Sequence, residues 1–225
     1  MTTSVFALPA EAQTAVMLVD GPASRIELQI STPQSAPRGG CVVCHPHPLY
    51  GGAMSNKVVY TLAATATKAG LVSLRFNFRG VGRSGGLHDD GRGETDDTVW
   101  LVQQLRALLP EGAPLVLAGF SFGGFVSLKA APRAAAAALM SVAPPFSATR
   151  AIYSDGDGLP PHPGCPWAVI HSRDDDTVRY DDTVRALAGY TPPPRLVTVD
   201  GAGHFFHCRL QDINAPFAEL LAGVL

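Results

Sequence analysis

Everything in this chain turns on Pro114-Leu-Val-Leu-Ala-Gly-Phe-Ser-Phe-Gly-Gly-Phe-Val-Ser-Leu-Lys-Ala130. Its first five residues are a short apolar run of the kind a buried strand shows. Phe125 to Ala130 reads as the start of a helix. Between them lies Gly119-Phe-Ser-Phe-Gly123, a G-x-S-x-G pattern. A strand, this pattern and then a helix make a sharp turn with the serine at its apex. Side chains at Gly119 or Gly123 would meet the neighbouring strand or helix, which is why glycine flanks the serine. The turn would present the Ser121 hydroxyl at the strand end, with the Phe122 N–H aimed where an oxyanion would form.

A serine nucleophile needs a base, and the base needs a carboxylate to orient it. Behind a turn of this kind the partners follow in the order Ser, acid, His. His204 stands in Asp200-Gly-Ala-Gly-His-Phe-Phe206, just after the last strand-like run, Leu196 to Val199. Asp175 stands in His171-Ser-Arg-Asp-Asp-Asp-Thr-Val178, just after the preceding run, Pro166 to Ile170. Residue types alone leave Asp174, Asp175 and Asp176 as alternatives for the acid. A second N–H for the oxyanion is expected from His45-Pro-His-Pro-Leu-Tyr-Gly-Gly52, which follows the apolar run Cys41 to Cys44. Pro46 and Pro48 have no N–H. The donor is therefore His47 or Leu49, with Leu49 preferred. His207 is expected on the closing helix as a surface or packing residue.

Strand and helix patterns alternate from residue 41 to the end. Helices are expected over Ser55 to Lys68, capped by Ser55, over Glu94 to Leu109, and over Asp181 to Ala188. A closing helix around Leu210 to Val224 is expected to kink or split near Pro216. Residues 1–40 read as peripheral antiparallel strands; Arg25 to Ile30 alternates polar and apolar. The expected fold is α/β: one domain over 1–225, with a mostly parallel twisted sheet and helices on both faces.

The 225 residues are 46% hydrophobic and 16% charged, with net charge -2. That balance argues against a general nucleic-acid binder, which needs a basic surface. No stretch approaches the ~18 apolar residues of a membrane span. The N-terminus has no basic region ahead of an apolar core, so the cytoplasm is the expected compartment. Cys41-Val-Val-Cys44 has C-x-x-C spacing, but strand positions i and i+3 face opposite sides. Buried thiols, and no metal site, are expected. Gly80-Val-Gly-Arg-Ser-Gly85 matches a dinucleotide fingerprint, yet more loop follows instead of the helix that should meet the pyrophosphate. No cofactor is expected.

Taken together, the His-Pro-His-Pro-Leu-Tyr-Gly-Gly segment, Arg79-Gly-Val-Gly-Arg-Ser84, the G-x-S-x-G turn, His171 to Val178 and Gly201-Ala-Gly-His-Phe-Phe206 resemble the α/β-hydrolase superfamily. They are similar to its compact bacterial serine hydrolases, near the dienelactone-hydrolase-like enzymes. The resemblance implies Ser121 as nucleophile, His204 as base and Asp175 as acid, since the family's aspartate usually stands three residues before a valine like Val178. It implies a small-molecule acyl ester as substrate. Thioesters, amides or small peptides would need the same machinery, and a binding protein could keep the turn without the chemistry. Two departures stand out. Dienelactone hydrolases use a cysteine nucleophile where this chain has Ser121. Many relatives carry a helical lid after the sixth strand, but Ala143 to Cys165 is dense in proline and glycine. At most one or two helical turns are expected there, between Phe146 and Tyr153. An open cleft that prefers small, soluble esters is expected.

Overall fold

The computed structural model describes residues 4–146 and 159–225. β1 (Thr14–Asp20) and β2 (Arg25–Ser31) form an antiparallel hairpin. β3 (Gly39–Cys44), β4 (Leu71–Phe76), β5 (Leu115–Phe120), β6 (Ala138–Val142), β7 (Trp167–Ser172) and β8 (Arg195–Val199) pair in parallel. One sheet holds all eight, in the order β1-β2-β4-β3-β5-β6-β7-β8. The hairpin joins it through an antiparallel β2–β4 pairing. The expected parallel sheet is therefore present, with the antiparallel strands at one edge.

The strand order reverses direction at β3. From β3 the chain moves outward to β4, then crosses back to place β5 on the other side. Loops leaving the carboxyl ends of β3 and β5 therefore part company and open a crevice, the usual ligand position in open α/β sheets. The His45–Gly52 segment leaves β3 there, and Ser121 leaves β5 beside it.

The helices are α1 (Lys57–Lys68), α2 (Arg92–Arg106), α3 (Phe122–Arg133), α4 (Tyr180–Leu187) and α5 (Gln211–Ala222). Parallel strands covered on both faces carry apolar residues at every position, and β3 to β7 are buried throughout. The alternation sorts them cleanly. Cys41, Val43, Val116, Ala118 and Phe120 pack with α1 and α5. Val42, Cys44, Leu115 and Leu117 pack with α2 and α3. Cys41 and Cys44 thus lie on opposite faces, both free and buried. Burial pushes the Cys44 thiol up to about 12.

Three helices differ from expectation. Asn56, not Ser55, caps α1; its side chain accepts from the Val58 and Val59 N–H groups. α2 begins at Arg92, before Glu94, and ends at Arg106, short of Leu109. Its first turn folds back on Glu94, whose carboxylate accepts from the Gly91 N–H. α5 runs as one element through Pro216. Ile213, Phe217 and Leu221 stand on one buried stripe across that proline. Their burial, roughly 1.5–3 kcal/mol per side chain, offsets the single missing N–H donor. Among the described residues no helix is long and apolar enough to cross a membrane. The turns expected between Phe146 and Tyr153 fall on residues 147–158, outside the described part.

Candidate active site

Ser121 sits between β5 and α3 with φ 53 and ψ -122. This is a left-handed backbone conformation that a side chain disfavours, at a cost of about 1–3 kcal/mol. The turn is held from three sides. Ser121 N–H donates to Val142 O at 2.8 Å, and Ser121 O accepts from Gly124 N–H at 2.8 Å and Phe125 N–H at 3.2 Å. A Cβ at Gly119 would run into the Gly123 carbonyl. One at Gly123 would run into the backbone of Cys44 and His45. Both collisions are with backbone, which cannot give way, so the two glycines follow from the closeness of β3, β5 and α3.

His204 is carried on the loop after β8. Gly201 and Gly203 take positive φ there, 72 and 56, and turn the chain back over the sheet edge. His204 Nε2 lies 3.1 Å from Ser121 Oγ, and His204 Nδ1 lies 2.8 Å from Asp175 Oδ2. All three side chains are buried or nearly so. With Nδ1–H donating to the carboxylate, Nε2 is left to accept the serine proton.

Burial alone would raise the Asp175 carboxyl. Hydrogen bonds from the His171 and His204 rings and the Val178 N–H outweigh that and hold it well below the usual carboxylate range. Asp175 Oδ1 accepts from the Thr177 and Val178 N–H groups at 2.9 and 2.7 Å.

The geometry separates the three consecutive aspartates. Asp175 meets His204. Asp174 Oδ1 accepts from Ser172 Oγ at 2.6 Å and Gly201 N–H at 2.8 Å, and its Oδ2 accepts from Gly203 N–H at 3.2 Å. It clamps the loop that carries His204. Asp176 is exposed and accepts from Thr177 Oγ1.

The structure bears on two further expectations. Leu49 N–H donates to His47 Nδ1 at 3.2 Å, within the single 3-10 turn Pro48–Tyr50. It caps that turn, which tells against Leu49 as the oxyanion donor. The His47 ring packs 4.8 Å from Phe122, so the alternative residue stands beside the first donor. His207 does not lie on the closing helix, which begins only at Gln211; it is exposed in the preceding turn.

Three residues to which pattern reading gave no role, together with Asp174, hold this edge together. His45 is buried; its Nδ1 lies 2.6 Å from Pro46 O and its Nε2 accepts from Phe78 N–H at 2.9 Å. Glu94 is fully buried and accepts from His88 Nδ1 at 3.0 Å and from the Asp89 and Gly91 N–H groups. The His88 ring in turn stands 4.9 Å from His47. Asp174 and His171 complete the set. The available signal was a polar residue ending an apolar run, as His45 and His171 do.

Gly80 to Gly85 folds into tight turns against β2. Gly80 N–H bonds to Gly85 O, and Glu27 Oε2 accepts from Asn77 Nδ2 and from Arg83 N–H. No helix opens at Gly85; α2 begins at Arg92. Among the described residues no group of three or more His, Cys, Asp or Glu could hold a metal ion.

The sequence profile of the alpha/beta hydrolase fold matches residues 46–162. The chain belongs to the α/β-hydrolase family. A protein of Rickettsia prowazekii is 30% identical over 208 residues, covering 90% of this chain and 86% of its own length. An α/β serine hydrolase of Xanthomonas campestris, described as having no lid, is 33% identical, with 98% of each chain covered and a TM-score of 0.87. A serine hydrolase homologue of Coxiella burnetii is 34% identical, covering 91% of this chain and 96% of its own, with a TM-score of 0.82. The excursion between β6 and β7, where a lid would be inserted, spans residues 143–166, and its described residues form no lid. Its family and its relatives are those of a hydrolase. The narrower likeness to dienelactone hydrolases finds no support in these relatives.

Proposed function

We propose that the protein is a serine esterase acting on small acyl esters through Ser121, His204 and Asp175. The observation that carries this reading is the unbroken contact from Ser121 Oγ to His204 Nε2 and from His204 Nδ1 to Asp175 Oδ2, at 3.1 and 2.8 Å. Ser121 Oγ attacks the acyl carbon while its proton passes to His204. The oxyanion is met by the Phe122 N–H and, on the β3 side, by the His47 N–H. His204 then gives its proton to the departing alkoxide, and the alcohol leaves. Water attacks the acyl enzyme, again losing a proton to His204; Ser121 Oγ departs, takes that proton back from His204, and the acid is released.

The surroundings favour an ester with one modest apolar group. Leu49, Tyr50, Leu87 and Phe205 are large apolar side chains exposed to solvent. Leu49 and Tyr50 lie in the turn after His47, Leu87 precedes His88, and Phe205 packs 5.9 Å from Phe120. Phe120 and Phe122 flank the serine, so these side chains rim the proposed site from both sides. Water-soluble esters of rising acyl length, beside matched thioesters and amides, test the reading. Esters of two to about four acyl carbons should be turned over fastest, with no jump in rate when a longer ester forms micelles. A protein that turns over none of these esters, or is not labelled by a fluorophosphonate at Ser121, would end it.

A further inference from the structure

We propose that His171 is a positioning residue for the Asp175 carboxylate, sharing one Nε2–H between Val178 O and Asp175 Oδ2. The inference rests on the triad reading above. His171 ends the apolar run of β7 and is fully buried. Its Nε2 lies 2.9 Å from Val178 O and 3.2 Å from Asp175 Oδ2. Both are acceptors, so Nε2 carries the hydrogen. Nδ1 has no partner among the described residues, although it is buried. Such an orphan asks for an explanation, because an apolar side chain would fill this space without one. The explanation lies at the other nitrogen.

Asp175 Oδ2 is the same oxygen that receives His204 Nδ1. The other oxygen is already held by the Thr177 and Val178 N–H groups. His171 therefore closes the fourth side and leaves the carboxylate no rotation. Val178 is common to both halves: its N–H binds Oδ1 and its carbonyl binds His171. The ring is fixed by the Tyr180 edge, 5.8 Å away at 90°, and Tyr180 is tied to Thr198 of β8 through its hydroxyl. Arg173 lies over the Tyr180 ring. Asp175 is the carboxylate in contact with His171, and His204 faces Asp175, Ser121, Phe120 and Phe205.

The consequence is chemical as well as steric. A donor on Oδ2 draws charge from the oxygen that must stabilise the His204 imidazolium. Without it the carboxylate would be freer to turn, and more basic when it points at His204.

The test compares His171→Leu, which removes the donor, with His171→Gln, whose amide offers an N–H near the Nε2 position. His171→Asn serves where the leucine variant does not fold, since its amide is too short to reach Asp175. Loss of the donor should lower kcat on the order of tenfold with KM unchanged, far short of the ~10⁴-fold expected for loss of the acid itself. The acidic limb of the kcat/KM profile should move to higher pH, and the glutamine variant should restore both. A wild-type kcat and pH profile in the leucine or asparagine variant would overturn the proposal. So would equal losses in the donor and non-donor variants that track only a fall in Tm. If instead the wild-type protein shows no esterase activity, the triad reading fails first and separately.

Discussion

Two glycine-rich turns leave β4 and β5, the strands on either side of β3, at the same sheet edge and do opposite things. In Gly119 to Gly123 the glycines flank the strain; the positive φ falls on Ser121 itself. In Gly80 to Gly85 the glycines absorb it, with Gly80 at 74 and Gly82 at 57. The obstacles differ as well. A Cβ at Gly119 or Gly123 meets backbone of α3 or β3, whereas one at Gly82 meets the side chains of Asn77 and Glu27. A turn that keeps its strain on a residue with a reactive hydroxyl, when glycine would hold that φ freely, gains nothing in stability from doing so. A turn that places glycine at each strained position needs no explanation beyond its shape. That distinction separates the two motifs better than either glycine pattern does.

The largest test of the contrast is Ser121→Ala. Activity on a short ester should fall by about 10⁶-fold, the scale seen when a triad nucleophile is removed. The fold should persist, with the same far-ultraviolet dichroism. A residual rate within a hundredfold of wild type would show that the strained serine is not the nucleophile.

Next comes the pair of adjacent carboxylates. Asp175→Asn should lower kcat on the order of 10⁴-fold, because the amide no longer favours the Nδ1–H tautomer of His204. Asp174→Asn should cost only about tenfold, through a looser His204 loop. Reversal of that order in steady-state kinetics would return the assignment of the acid to Asp174.

The two turns can then be challenged directly. Gly123→Ala should lower kcat by about 10²-fold or more, since the serine must shift against β3. Gly82→Ala should destabilise the protein by about 1–2 kcal/mol, read as a urea midpoint, while kcat stays within about threefold. A Gly82 variant as inactive as the Gly123 variant would give the G-x-G-x-x-G loop a part in the chemistry.

Much of this was legible in the sequence, for a reason that Ser121, His204 and Asp175 share. Each stands on or within a few residues after the carboxyl end of a short apolar run, and apolar runs locate strand ends without any knowledge of pairing. The sheet order was not legible, because nothing local to β4 says that it pairs with β2 on one side and β3 on the other. The preference for Leu49 over His47 rested on a similarly partial signal. Counting N–H groups excluded the prolines but could not show that the His47 ring folds back onto the Leu49 amide. Of the kink or split expected at Pro216, the split does not occur, because the rule concerns one missing donor, whereas the buried stripe from Ile213 to Leu221 is a tertiary effect. His45 and His171 look like ordinary strand-end residues until the contacts of their rings are known.

His45 joins the two turns, and a prediction about stability rather than activity belongs to it. Its Nε2 accepts from Phe78, one residue ahead of the Arg79–Ser84 loop, while its own carbonyl is among the atoms that exclude a side chain from Gly123. The Nδ1–H is given to Pro46 O, so the ring is set as neutral. Burial pulls its pKa down from 6.5 to about 4; the Pro46 carbonyl opposes the fall and His47 adds to it. The unfolded chain therefore binds this proton more readily than the folded one. The stability that His45 contributes is complete above about pH 6.5 and erodes as the pH drops toward 4. At about 1.4 kcal/mol per pKa unit, the loss amounts to about 3 kcal/mol. Asp175 does not share this window, because its carboxyl is held well below the usual range and its contribution fades only in stronger acid. Urea midpoints measured between pH 7 and pH 4 should fall for the wild type. In His45→Gln, which keeps a donor and an acceptor but no titration, that slope should flatten even if the variant starts from a lower stability. An unchanged slope would mean that the proton is taken up elsewhere, and that His45 links the two turns by shape alone.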